Sequence, residues 1–237
     1  MTSSRLPGKV MLPAGGRPLL QILIERLQRA RRLELIVLAT TVNPDDDVLA
    51  ALAQSCGIAC FRGSEADVLG RVRGALDAHG AEIAVEITGD APMVDPAMID
   101  EMVASFLETR GRNAYVANST GPQMGVPHGL DIQVFEASAL RTVESETNDA
   151  EAREHVSIAF YRPASGTRWN PRFMSFFPDE LCRRVWLSLD YPEDYALIRD
   201  VHEALTRVDP HYGARVAIDA ALARPAQTQA CLRLRGW

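Results

Sequence analysis

Two hydroxyls, a guanidinium and an ammonium fall within one short stretch, Ser3-Ser4-Arg5-Leu6-Pro7-Gly8-Lys9. Each of these groups suits an anion. Gly8, and further on Gly15 and Gly16, let backbone N–H groups come close to phosphate oxygens, while Arg5 and Lys9 add charge-assisted hydrogen bonds. The competing reading is a frayed tail with scattered polar residues, and composition by itself favours the tail.

Two carboxylates offer different chemistry. Asp90 follows Ile83-Ala84-Val85-Glu86-Ile87 in Thr88-Gly89-Asp90-Ala91-Pro92, and Asp190 stands in Leu189-Asp190-Tyr191-Pro192-Glu193-Asp194. An aspartate at the carboxyl end of a strand is placed to hold Mg²⁺ against a triphosphate, and two of them can share one hard cation. Asp95 and Glu193 read instead as a helix cap and a first-turn acid; for Asp90 and Asp190 the pattern leaves metal ligand and cap evenly matched. The run Arg62-Gly63-Ser64 with Asp67 could face a base or a ribose, or Ser64 could simply cap a helix. His128-Gly129-Leu130-Asp131 and Arg153-Glu154-His155 are polar clusters that, unaided, read as surface turns or a helix's polar face.

The elements that must position these groups alternate. The spacing predicts a helix from Pro18 to Arg32, a strand at Leu35–Ala39, a helix at about Asp46–Ser55 and a strand at Ile58–Phe61. A helix at about Ala66–Ala78, a strand at Ile83–Ile87 and a helix at Pro96–Leu107 follow. Strands separated by helices imply a mostly parallel sheet flanked by helices, with ligands beyond the carboxyl ends of the strands. From about residue 112 to 175 the pattern changes to strand-like runs at Ala114–Ala117 and Leu130–Phe135 joined by Gly/Pro-rich connections. That stretch reads as an antiparallel insertion, a lid or a subunit contact, within a single domain spanning 1–237. A helix around Asn148–Phe160, a strand near Trp186–Leu189 and a helix after Pro192 resume the theme.

Composition removes several function classes. A formal net charge of −6 disfavours coating nucleic acid or an anionic membrane, since both need a dominant basic surface. The four cysteines form no C-x-x-C pair and the five histidines complete no zinc spacing, so a structural metal is not expected. The sequence shows neither a secretory leader pattern nor an apolar run of membrane-spanning length, which places the chain in a reducing cytoplasm.

Six blocks then occur in a recognisable order: Ser3 to Lys9; Phe61 to Ser64 with Asp67-Val68-Leu69-Gly70-Arg71; Thr88 to Pro96; Gly129-Leu130-Asp131 with Val134-Phe135; Arg153-Glu154-His155-Val156; and Leu189 to Asp194. In these the chain resembles the cytidylyltransferases of the acylneuraminate and 3-deoxy-manno-octulosonate type, most closely their spore-coat polysaccharide biosynthesis branch. The resemblance implies a glycosyltransferase-A-like α/β fold, CTP as nucleotide, Mg²⁺ as cofactor and a homodimer built through the insertion. It implies that a sugar hydroxyl attacks the α-phosphate of CTP to give a CMP-sugar. By family position Arg5 and Lys9 hold the triphosphate, with Ser3 and Ser4 in the same loop; Asp90 and Asp190 bind Mg²⁺; Arg62, Ser64 and Asp67 shape the nucleotide pocket; His128, Asp131, Arg153 and His155 lie toward the sugar.

The chain departs from the family in two places. The first strand, which ends in a Gln-Ala-Arg-Met or similar run, is absent, and Met1 stands at that methionine. This implies a start placed too far downstream, or else a shortened paralogue. Leu189-Asp190-Tyr191-Pro192 also replaces a more usual Val-Asp-x-Pro. Two rivals follow: a non-catalytic member that binds nucleotide or partner, and a glycosyltransferase using a nucleotide-sugar donor. The second typically carries a metal-binding Asp-x-Asp; here Asp45-Asp46-Asp47 falls at a predicted helix start.

Overall fold

The computed structural model describes residues 1, 3–120, 123–162 and 168–237. Thr2, part of the connection from Gly121, and part of the insertion lie outside the described residues.

Helix α1 (Leu19–Leu27) buries Leu19, Leu20, Ile22, Leu23 and Ile24 at 3% exposure or less. Each such side chain contributes roughly 1.5–3 kcal/mol by leaving water. Its Arg26 is buried as well, with Nε donating to the Val94 carbonyl at 2.7 Å and a terminal nitrogen donating to the Tyr212 carbonyl at 3.1 Å. One guanidinium thereby ties α1 to the loops before two other helices, α4 (Pro96–Thr109) and α10 (Ala214–Leu222).

Strands β3 (Val37–Thr41) and β4 (Ala59–Gly63) pair in parallel, and α2 (Asp47–Ser55) connects them. A second sheet has the order β5 (Ile83–Glu86), β7 (Gln133–Glu136), β6 (Tyr115–Ala117), β8 (Arg172–Phe173). Here β7 runs antiparallel to both neighbours, as the alternation of residues 130–135 predicts for the insertion, while β6 and β8 are parallel. Among the described residues no ladder joins β3 to β5. The α/β class is as expected. The long core, with α1, α4, α9 (Pro192–Thr206) and α10, lies against one side of these strands. A smaller cluster, with Leu69, Tyr115, Phe135, Leu140 and Phe160, lies under α3 (Val68–Ala78) and α5 (Ala137–Glu146).

Several local readings change. Gly15 and Gly16, at φ 56° and 77°, form the two-residue turn of a hairpin, β1 (Pro13–Ala14) to β2 (Arg17–Pro18). Two adjacent left-handed residues are what the twist of such a hairpin requires. The Gly15 N–H donates to Glu203 at 3.0 Å, so it serves the fold and not a phosphate. Trp186–Leu189 forms no strand: its N–H groups at Leu187 and Leu189 donate instead to the carbonyls of His128 and Asp90, at 2.8 and 2.9 Å. The single helix expected at 148–160 breaks into α6 (Ala150–Glu154) and α7 (Ile158–Tyr161), because Val156 between them adopts φ 23°. No helix among the described residues is long and apolar enough to cross a membrane.

Candidate active site

The N-terminal loop closes on itself before it reaches the rest of the protein. The Ser3 hydroxyl accepts from the Leu6 N–H at 3.3 Å, Gly8 takes φ 68°, and the chain turns into a short 3-10 segment at Lys9–Met11. This turn delivers Lys9 between two distant carboxylates. Its ammonium donates to Asp90 Oδ2 at 3.2 Å and to Asp190 Oδ1 at 3.0 Å. Arg5 also donates to Asp190 Oδ1, at 2.8 Å, and its guanidinium lies 5.3 Å from the Tyr191 ring centre. Ser4 is exposed.

Asp90 lies beyond the end of β5, two residues after Thr88, whose hydroxyl donates to Asp90 Oδ1 at 2.5 Å. Asp190 enters through the segment bonded to the Asp90 carbonyl, so the two acids are joined by backbone as well as by Lys9. Burial pushes the Asp190 carboxyl up, but the hydrogen bonds from Arg5 and Lys9 more than offset this and hold it below the usual carboxylate range.

A deeper pair fixes the Asp190 turn. Asp194, with no solvent exposure, accepts at Oδ2 from the N–H groups of Asp190 and Tyr191 at 3.0 and 2.9 Å. Arg235 then donates to both Asp194 oxygens, at 2.9 and 2.6 Å, and reaches within 3.8 Å of Asp190 Oδ2. Arg235 also sits 4.0 Å over the Trp186 ring. Sequence reasoning misses Arg235, which no local motif marks: it lies 41 residues from its partner in helix-rich sequence.

His128 and Asp131 are brought together beside this corner. Asp131 Oδ2 accepts from the Gly129 N–H at 2.8 Å, and its other oxygen is 3.9 Å from His128 Nδ1. Gly129 has φ 96°, and a Cβ there would fall 2.2 Å from the Leu187 carbonyl carbon, so only glycine lets the two segments touch. The His128 ring lies 4.4 Å from Trp186.

The remaining predicted residues lie elsewhere and are already engaged. Arg62 donates to the carbonyls of Thr41 and Asn43 and pairs with Asp47 at 2.6 Å, closing the loop after β3. Ser64 accepts from the Asp67 N–H, and Asp67 caps α3 through the Gly70 N–H at 3.0 Å. Arg153 pairs with Asp67 at 2.8 Å and donates to the carbonyls of Glu144 and Thr147. The structure thus joins one residue expected at the nucleotide to one expected at the sugar. His155, two residues on, is exposed. Ser64 and Asp67 line a cleft of about 450 Å³ with Phe61, Arg71 and Glu144. Asp90 and Lys9 are not part of that cleft.

A carboxylate inside the apolar β5 run was a visible signal that sequence reasoning left unused. Glu86 ends β5, and its Oε2 is out of solvent without a hydrogen-bond partner. Burial pushes the Glu86 carboxyl up to about 7, the Ser157 hydroxyl offsetting part of the rise. In the unfolded chain the same group releases its proton near 4.5. Between those values the native state holds a proton that the unfolded state has lost, so stability falls as pH rises from about 4.5 to about 7. Thermal or urea denaturation should show the wild type losing about 1–3 kcal/mol relative to Glu86→Gln between pH 5 and 8. Parallel curves for the two proteins would contradict the assignment.

With this geometry in place, comparison with known proteins decides the family. A cytidylyltransferase family model matches residues 1–173. The chain belongs to the cytidylyltransferase family. Over 214 residues it is 33% identical to an uncharacterized protein of Methanocaldococcus jannaschii, covering 87% of this chain and 82% of that protein. It is 28% identical over 208 residues to the spore coat polysaccharide biosynthesis protein SpsF of Bacillus subtilis, covering 86% and 83%. Among solved structures, a cytidylyltransferase from Leptospira borgpetersenii superposes with a TM-score of 0.88 at 28% identity, over 97% of this chain and 93% of that one. The chain is therefore a nucleotidyltransferase of the SpsF-type branch, with the α/β fold of the family. In this cytidylyltransferase the N-terminal loop, the segment after β5 and the Asp190 turn meet at Lys9.

Proposed function

We propose that the chain activates a sugar, in particular an acidic sugar destined for surface polysaccharide, by transferring CMP from CTP. The observation that carries this reading is the Lys9 bridge between Asp90 and Asp190. Three cations, Arg5, Lys9 and Arg235, there face three carboxylates, Asp90, Asp190 and Asp194. A triphosphate entering beside Arg5 and Lys9 draws both cations onto its oxygens and frees the two aspartates. The sugar hydroxyl oxygen then bonds to the α-phosphorus as the bond to the β-phosphate oxygen breaks. Pyrophosphate departs, and the hydroxyl proton passes to solvent. The side chains position the reactants and offset charge that develops on the phosphates, which is the larger part of such catalysis.

The same two aspartates fit Mg²⁺. Both place an oxygen within 3.2 Å of one ammonium, so both can face a single cation. No group of three or more acidic, His or Cys side chains among the described residues could hold a metal unaided. Two carboxylates completed by substrate phosphates is an ordinary arrangement for Mg²⁺. Bound there, the ion supplies charge neutralisation and orientation of the triphosphate. We further take the insertion near 112–175 as the contact of a homodimer, and the cytoplasm, where CTP is made, as the site of action.

Against a glycosyltransferase stands Asp47. It opens α2 and is paired with Arg62 at 2.6 Å, so Asp45-Asp46-Asp47 serves as a helix start whose last acid is already taken by a cation. Pyrophosphate release from CTP with Mg²⁺ and a panel of sugars tests the proposal. Retained CTP binding with no release across the panel would favour the non-catalytic rival.

A further inference from the structure

Glu86 lies on a row of polar groups that leads away from Asp90. On β5 it shares a face with Ala84, and its partner in the ladder is Gln133 of β7. Gln133 Oε1 is taken by the Tyr115 hydroxyl at 2.6 Å. Two residues before Gln133, just ahead of β7, is Asp131; burial pushes the Tyr115 and Tyr161 hydroxyls up, and the charges of Glu86 and Asp131 add to the rise. The two acids therefore face one polar region. The chain runs on from Glu86, the end of β5, to Asp90 in four residues, and the carbonyls of Asp90 and His128 both accept from the backbone of residues 187–189.

Two independent features set this region apart from packing. A buried carboxyl oxygen without a partner is costly, and such groups are kept where something else supplies the hydrogen bond. The segment that covers Glu86 is also strained: Val156, a β-branched residue, sits at φ 23°, next to the buried Ser157. A β-branched side chain in the left-handed region is a genuine outlier of the kind that gathers at ligand clamps.

We propose that Glu86 determines acceptor specificity by accepting, through its free carboxyl oxygen, a hydrogen bond from a hydroxyl or ammonium group of the sugar. This rests on the reading of the chain as a sugar cytidylyltransferase. A sugar that lacks a donor there leaves the oxygen unsatisfied and binds less well.

The test is sugar binding to the full chain, measured by ligand-observed NMR with glucose, glucosamine, glucuronate and 3-deoxy-manno-octulosonate, with CTP affinity measured alongside. At least one of the four should bind the wild type and lose about tenfold in affinity to Glu86→Gln and more to Glu86→Leu, with CTP affinity within twofold. Glu86→Gln keeps the shape and removes the titrating group, so it folds. Equal binding of every bound sugar by wild type and variants, or binding of none of the four by the wild type, overturns the proposal. Pyrophosphate release on the same samples separates the two readings: Glu86-dependent sugar binding without turnover defeats the transfer reading alone.

Discussion

Asp90→Asn should lower Mg²⁺-dependent turnover by about 10³-fold while leaving the melting temperature almost unchanged. The expected split follows from where Asp90 sits. Its carboxylate is partly exposed, and within the protein it meets Lys9 and the Thr88 hydroxyl. Asparagine retains an oxygen for either partner, and Lys9 still has Asp190 at 3.0 Å, so the fold loses little. The reaction loses a negative charge that would help hold Mg²⁺ against the triphosphate. Asp95 provides the control. It caps α4 through the Ala97 N–H at 2.9 Å and accepts from the Ala214 N–H at 2.6 Å, so Asp95→Asn should reduce stability and spare turnover. Steady-state kinetics and thermal melts on both variants check the pair. Wild-type turnover in Asp90→Asn would remove Asp90 from the site.

The second large effect is expected at Arg235. Replacing it with alanine strips two charge-assisted hydrogen bonds from Asp194, leaving a fully buried carboxylate with only the two backbone N–H groups of Asp190 and Tyr191. Breaking a buried pair from one side costs about 3–5 kcal/mol. For a chain of this size that lowers the melting temperature by about 6–20 °C. Because Asp194 holds the turn that carries Asp190, turnover should fall as well, in kcat more than in the KM for CTP. Replacing both partners, Asp194→Asn with Arg235→Leu, should recover part of the stability, since no lone charge is then left inside. A melting temperature within 2 °C of wild type for Arg235→Ala would show that the pair holds nothing.

The contrast between Asp90 and Arg235 shows what the sequence makes legible. Helical spacing at Leu19–Leu27 and the apolar run of β5 identify elements because their burial is periodic and local. Asp90 could be picked out because its place, just beyond a strand, is itself a local pattern. Contacts across 81 and 181 residues, such as those of Lys9 with Asp90 and Asp190, leave no mark in spacing; the order of the six blocks supplied that grouping. Arg235 belongs to none of those blocks, and only the folded chain brings it to Asp194.

Some local signals were present but outweighed by a stronger pattern. Gly15-Gly16 between Pro13-Ala14 and Arg17-Pro18 is a two-residue hairpin signal, overshadowed by the basic loop before it. Residues 148–160 read as one helix because propensity averages over a window, whereas the break depends on a single backbone conformation at Val156. The pairing of Asp67 with Arg153 joins two blocks that the family order had assigned to different substrates. Glu86 stood in plain view within an apolar strand, yet a lone acid there says nothing until its neighbours Gln133, Tyr115 and Ser157 are known.

The central claim is that Lys9, Asp90 and Asp190 form one cytidylyl-transfer centre. Its most direct test is continuous measurement of pyrophosphate released from CTP, in the presence of Mg²⁺ and each member of a sugar panel, by the full chain and by Lys9→Ala. Sugar-dependent release by the wild type, lost by about 10²-fold or more in Lys9→Ala, is the predicted result. Equal release by the two proteins, or CTP binding with no release for any sugar, would contradict it.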